Sequence, residues 1–141
     1  MSIIVLPKVG EKITTNRAIE LCQYYKLNYL INRIQKNPEL YNEWIFDGVS
    51  GLPDRLASIL VDCDQHLLTY ECALPHDLAY AYGKLNDVNE KKAIDTKFLH
   101  DLIYVANANP VMAKVFYLAV NVLGKQELRM PFTWAFANKN V

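Results

Sequence analysis

Apolar residues recur at helical spacing along most of the chain, and no stretch shows the strict alternation that marks a half-buried strand. Between Asn16 and Gln35, Ala18, Leu21, Cys22, Tyr25 and Tyr29 follow one another at helical intervals, joined by Leu30, Ile31 and Ile34. This is one face of an amphipathic helix. Thr14, Thr15 or Asn16 can cap its start, and Asn37-Pro38 closes its end, because the residue before a proline is driven out of the helical region. A short segment, Pro38 to Phe46, leads into Asp47-Gly48-Val49-Ser50-Gly51-Leu52-Pro53-Asp54, whose two glycines and proline predict a loop.

A short helix is predicted over Asp54 to Val61, then a loop through Asp62-Cys63-Asp64, then a helix from Leu67 to Tyr82. Pro75 either opens the main part of that helix or kinks it, and Gly83 ends it. Asp87 or Asn86 caps a longer helix reaching about Ala106, with Glu90 three residues after Asp87 as in a capping box. Asn109-Pro110 opens a last helix that runs to Gly124. Apart from a stripe of Lys114, Tyr117 and Asn121 it is apolar nearly all round, which predicts deep packing. The predicted fold class is all-α.

With 141 residues, the chain suits a single domain, 1–141, around one core. Hydrophobic residues make up 52% and charged residues 21%, a globular rather than a disordered composition. Lys+Arg and Asp+Glu are both 15, so no global field draws the chain to nucleic acid or to an anionic membrane. Contact with lipid would then be local and largely apolar. The last helix falls short of the roughly 20 apolar residues a transmembrane span needs, so no transmembrane segment is expected. The apolar run Ile3 to Leu6 stops at Pro7, too soon for the core of a signal peptide. That predicts a cytoplasmic protein, or a secreted one in mature form. Three cysteines, Cys22, Cys63 and Cys72, are an odd and scattered set, which argues against a disulfide framework and for a reducing compartment. The aromatic tail Met130 to Phe136, with Trp44 and Phe46, is read as packing rather than as a partner surface.

Candidate chemistry concentrates on two helices. His76 and Asp77 are neighbours pointing about 100° apart, and Tyr80 follows His76 by four, on the same face. On the next helix Asp95 falls on the apolar stripe of Phe98, Leu99 and Leu102. A carboxylate aimed at a core is costly unless it has a partner, and the natural partner is a histidine on the facing helix. An Asp held against an imidazole fixes its tautomer and stabilises the imidazolium, which suits a general base acting on water. The plainer alternative leaves Asp95 at the edge of the stripe and His76 an ordinary half-buried histidine; spacing alone favours it. His100 falls about 140° from Asp95 by the same helical step and is expected to face solvent.

A resemblance shifts that balance. Cys72-Ala73-Leu74-Pro75-His76-Asp77-Leu78-Ala79-Tyr80 resembles the Cys-Cys-x-x-His-Asp-x-Cys-Tyr helix of secretory phospholipases A2, with His, Asp and Tyr in register. The wider pattern is similar to the prokaryotic-type (bacterial and fungal) phospholipase A2 family. Its loop reads Asp-Gly-Cys-Ser-x-x-Pro-Asp, matched by Asp47 to Asp54 except at Val49. Its later helix reads Ile-Asp-x-x-Phe-x-x-Asp-Leu, matched throughout by Ile94 to Leu102. The resemblance implies a small helical domain in which two antiparallel core helices carry His76-Asp77 and Asp95. It implies His76 as the general base, Asp95 as its orienting partner and Tyr80 in the same network. Calcium would be held by the carboxylates of Asp77 and Asp47 and a loop carbonyl near Gly48, hard oxygen donors of the kind calcium takes, and would stabilise the oxyanion of a phospholipid ester at a membrane interface. The chain departs from the pattern at Val49 and Ala73, where the family has cysteines, and in a longer stretch from Asp54 to Glu71. The disulfide tying the calcium loop to the helix is therefore expected to be absent, and calcium binding weak.

Two other readings stay open. The chain also reads as a non-catalytic scaffold that kept the helix pair and binds a protein or lipid partner. Cys63, His66, Cys72 and His76 can also be drawn as a zinc site, although Pro75 interrupts the second pair. Oligomeric state is not legible in the sequence.

Overall fold

The computed structural model describes residues 4–46, 63–84 and 87–123. The predicted helix over Asp54 to Val61, the loop from Asp47 to Asp54 and the tail Met130 to Phe136 lie outside these residues. What is described is a small, mainly helical domain with a two-stranded ribbon.

The ribbon corrects the all-α expectation. Strand β1 (Glu11–Ile13) pairs antiparallel with β2 (Trp44–Phe46), with Glu11 opposite Phe46, Lys12 opposite Ile45 and Ile13 opposite Trp44. Three residues per strand are too few for alternation to stand out in a sequence, and the pairing depends on a distant segment. Ile13 and Phe46 turn inward and are fully buried. The indole N–H of Trp44 donates to the Tyr82 hydroxyl at 3.1 Å. Trp44 and Phe46 thus serve packing, as expected.

The predicted helix from Asn16 to Gln35 is two helices, α1 (Thr15–Tyr24) and α2 (Asn28–Lys36). Thr14 caps α1 by accepting the Arg17 N–H. At its end Lys26 sits at φ 60°, the Leu27 N–H bonds the Cys22 carbonyl at 2.8 Å and the Lys26 N–H bonds that of Gln23 at 3.2 Å. This is a Schellman closure, which ordinarily has glycine at the left-handed position. A lysine there hides the stop from a sequence reading.

Helix α3 (Gln65–Leu67), capped by Asp64, runs through a π-helical stretch, Leu68–Ala73, into α4 (Leu74–Ala81). In the π register the Leu74 N–H reaches the Thr69 carbonyl. The next donor along would be residue 75, a proline without N–H. The Tyr70 carbonyl that it leaves accepts the Tyr25 hydroxyl instead. So Pro75 stands in the first turn of α4 and opens the main part of the helix, one of the two roles expected for it, with the π stretch just before it.

Helix α5 (Val88–Tyr104) starts at Asp87, whose carboxylate accepts the Glu90 N–H at 2.9 Å. The reciprocal half of the expected capping box is replaced. The Glu90 carboxylate accepts the Lys84 N–H at 2.7 Å and takes both guanidinium nitrogens of Arg33 at 3.0 and 2.8 Å. Arg33 also donates to the Tyr82 carbonyl at 2.9 Å, so one charged cluster joins α2, the end of α4 and the start of α5. Helix α6 (Pro110–Leu123) packs on α5 through Ala113 and Phe116. The deep packing expected for it is corrected: Val111, Met112, Val115 and Leu118 are exposed. A helix apolar all round need bury only the face that meets a neighbour. No helix among the described residues is long and apolar enough to cross a membrane.

Candidate functional site: a buried His–Asp–Lys cluster between two helices

Helices α4 and α5 run antiparallel, with His76 beside Asp95 and Phe98, and Tyr80 beside Asp95 and Lys91. Leu74 and Leu78 of α4, with Phe98 and Leu102 of α5, belong to the same buried core and fix the helix pair. That core also excludes water from the polar groups between the helices.

His76 and Asp95 are brought together. The His76 Nε2 lies 3.1 Å from Asp95 Oδ1, and the Tyr80 hydroxyl donates to the same oxygen. Asp95 is 1% exposed and His76 7%. An ionised carboxylate only accepts, so Nε2 carries the proton and the lone pair of the neutral ring is on Nδ1. Nδ1 faces Asp77 Oδ1 at 3.6 Å, too far for a hydrogen bond. The ring is stacked on Phe98, with centroids 4.4 Å apart and 30° between planes, and lies 4.2 Å from the Tyr80 ring. The imidazole is thus held on both faces and at one nitrogen.

The electrostatics follow from this packing. Burial alone would push the His76 pKa down, but the nearby Asp77 carboxylate, with the hydrogen bond and charge of Asp95, outweighs it and raises it above its ordinary value. Burial would raise Asp95; the bonds and charge from His76, with the bonds from Lys91 and Tyr80, carry it below its ordinary range. The Tyr80 phenol is held neutral by burial and by the Asp95 charge.

No motif in the sequence singles out Lys91 as a member of this cluster. Its ammonium bonds Asp95 Oδ2 at 2.8 Å, with the Lys91 side chain 10% exposed. The signal was present, since Lys91 precedes Asp95 by four residues and so shares its helix face. Lysines on amphipathic helices are usually solvated, and only the packing shows that this one is not.

The metal question rests on oxygen donors. Asp77, with its side chain 13% exposed, is a hard donor of the type calcium takes. Asp47 and Gly48, the other donors expected, lie outside the described residues, and among the described residues no three His, Cys, Asp or Glu side chains group to hold a metal. The zinc set is not gathered. Cys63 and Cys72 are buried thiols, and burial pushes Cys72 up to about 12, away from the thiolate that zinc needs. His66 lies against the Tyr70 ring, and His76 is committed to Asp95. Cys22 and Cys72 are reduced thiols. His100 is exposed beside Asp101, as expected.

A small cleft of about 50 Å³ touches His76 and is lined by Leu27, Tyr29, Cys72, Pro75, Ala79, Ile94, Lys97, Phe98 and Asp101. By the 100° step per residue, Pro75 and Ala79 lie on the flank of α4 away from Asp77. An apolar group can lie there alongside the ring, whereas Nδ1 is approached from the Asp77 side. No protein-family model, curated protein or solved structure matches the chain.

Proposed function

We propose that the protein is a calcium-dependent, phospholipase A2-like hydrolase that cleaves the sn-2 ester of glycerophospholipids with a water activated by His76. The observation that carries this reading is the buried dyad: Nε2 tied to Asp95 at 3.1 Å, leaving the Nδ1 lone pair to take a proton. The motifs from Asp47 to Leu102 supply the substrate class.

In this reading a water at Nδ1 gives its proton to the ring as its oxygen bonds to the ester carbonyl carbon. Asp95, held by Tyr80 and Lys91, keeps the ring oriented and offsets the charge that the imidazolium gains. The ring then returns the proton to the departing alcohol oxygen as the ester bond breaks. Asp77, with Asp47 and the Gly48 carbonyl, would hold calcium, which supplies polarisation of the carbonyl oxygen when bound. Phe98 and the surrounding core keep bulk water from the ring.

The test is an ordering of rates on dispersed phospholipid with calcium present. His76→Gln is expected to lose about 10²- to 10⁴-fold, the usual contribution of a general base, with Tm measured beside the rate so that loss of the base is separated from loss of fold. Asp95→Asn loses less, because the imidazole remains. Asp77→Asn matches the loss caused by chelating calcium, and calorimetry shows its calcium heat abolished. Identical calcium titrations of wild type and Asp77→Asn would sink the metal assignment. Activity that survives His76→Gln would sink the base.

A non-catalytic scaffold binding a protein or lipid partner is the second reading. It is favoured by Val49 and Ala73, which stand where the family has cysteines and so remove the disulfide that the family uses to tie its calcium loop to the His-Asp helix. Wild-type protein that releases no fatty acid with calcium present selects it.

A further inference from the structure

Helix α5 carries two lysine–aspartate pairs at the same spacing of four, and they differ in kind. Lys97 meets Asp101 at 2.6 Å with the lysine side chain 63% exposed, an ordinary pair whose cation stays in solvent and contributes little. Lys91 meets Asp95 at 2.8 Å with side chains 10% and 1% exposed. Bringing an ammonium into a core is costly, so this pair is not explained by helix propensity.

The division of bonds on Asp95 shows what the ammonium does. His76 and Tyr80 both address Oδ1, while Lys91 addresses Oδ2. The last torsion of an aspartate is broad and two-fold, so a carboxylate gripped at one oxygen can still swing and exchange its oxygens. A cation fixed on the other oxygen removes that freedom, and its absence would leave Oδ2 buried without a bond among the described residues. The Lys91 ammonium is itself held 5.7 Å over the Tyr80 ring, so the same tyrosine steadies both oxygens, one through its hydroxyl and one through its ring.

We propose that Lys91 is a positioning residue for the dyad: by holding Asp95 Oδ2 it keeps Oδ1 in line with His76 Nε2. Its catalytic consequence rests on the hydrolase reading above; its structural consequence does not. The test therefore has two arms on the full chain. In ¹⁵N-edited NMR, the far-downfield His76 Nε2–H proton reports the bond to Asp95 directly. Lys91→Met keeps the aliphatic stem, and this resonance is expected to shift upfield or broaden away, while Lys91→Arg, which restores a donor to Oδ2, brings it back. In the rate arm, Lys91→Met loses up to about 10²-fold in kcat, the scale set by misplacing a catalytic group, at unchanged KM. Lys91→Arg recovers most of the loss. A folded Lys91→Met with an unmoved His76 resonance overturns the proposal, as does Lys91→Arg proving as defective as Lys91→Met. Should Lys91→Met fail to fold, Lys91→Gln, with a neutral donor, carries the same comparison against Lys91→Arg. Wild-type protein without hydrolysis would remove the enzymatic reading, and the NMR arm would still decide the role of Lys91.

Discussion

At the residue scale, Asp95 is the group on which the cluster turns. Its carboxyl is held below its ordinary 3.8, so it contributes stability above that value and loses it as pH falls through the folded pKa. His76 is raised above its ordinary 6.5; its contribution is full below 6.5 and fades as pH rises through the folded pKa. The pair therefore stabilises the fold most between 3.8 and 6.5. Urea denaturation of wild type and Asp95→Asn across pH should show the widest gap in that window. The gap should narrow in acid, where the carboxyl is protonated, and at alkaline pH, where the imidazole is neutral. A gap that is constant with pH would mean that the bond to His76 is not ionic in character.

At the element scale, local backbone chemistry overrides hydrophobic periodicity at two places. Lys26 holds a left-handed conformation at φ 60° that costs an L-residue about 1 kcal/mol and glycine almost nothing. Lys26→Gly is thus expected to stabilise the protein by roughly 0.5–1 kcal/mol, net of the greater freedom glycine gains when unfolded. The check is a rise in the denaturation midpoint at unchanged slope; a fall would mean that the Lys26 side chain contributes more than its conformation costs. The second place is the π stretch before Pro75, where the Tyr25 hydroxyl takes the bond that proline cannot make. There the side chain of Tyr25, just past the end of α1, completes the backbone of the helix that presents His76.

For the whole molecule, the Arg33–Glu90 pair does the long-range work. The guanidinium meets the carboxylate at 2.8 Å and also the Tyr82 carbonyl at 2.9 Å. Both side chains are under a third exposed, so the bonds are only partly screened. Arg33→Met is expected to cost about 2 kcal/mol, the scale of a hydrogen bond to a charged group. It should also loosen the junction of α4 and α5, seen as faster amide exchange at Lys84 and Glu90. A loss within about 0.5 kcal/mol, typical of a surface substitution, would show the clamp to be incidental.

The sequence by itself determined the helices that bear the site and offered His76 and Tyr80 as partners for Asp95. Asp95 on an apolar stripe is costly without a partner, and the His-Asp-x-x-Tyr pattern of the resemblance tipped the balance to His76 with Tyr80 one turn on; Asp87 and Asn109 announced their helix starts through side chains that accept local N–H groups. These are short-range facts, written within one or two turns. Only the tertiary structure decided the rest. The split at Lys26 depends on a conformation that lysine adopts without advertising it. The ribbon depends on Ile13 and Trp44 meeting across a long separation in sequence, and the exposure of Val111, Met112, Val115 and Leu118 on which face of α6 meets α5. Lys91 and Lys97 look alike in the sequence, each four residues before an aspartate on the same helix. One is solvated and the other buried against the dyad, because burial is set by the helix that packs across the face, and periodicity within a single helix carries no record of that neighbour.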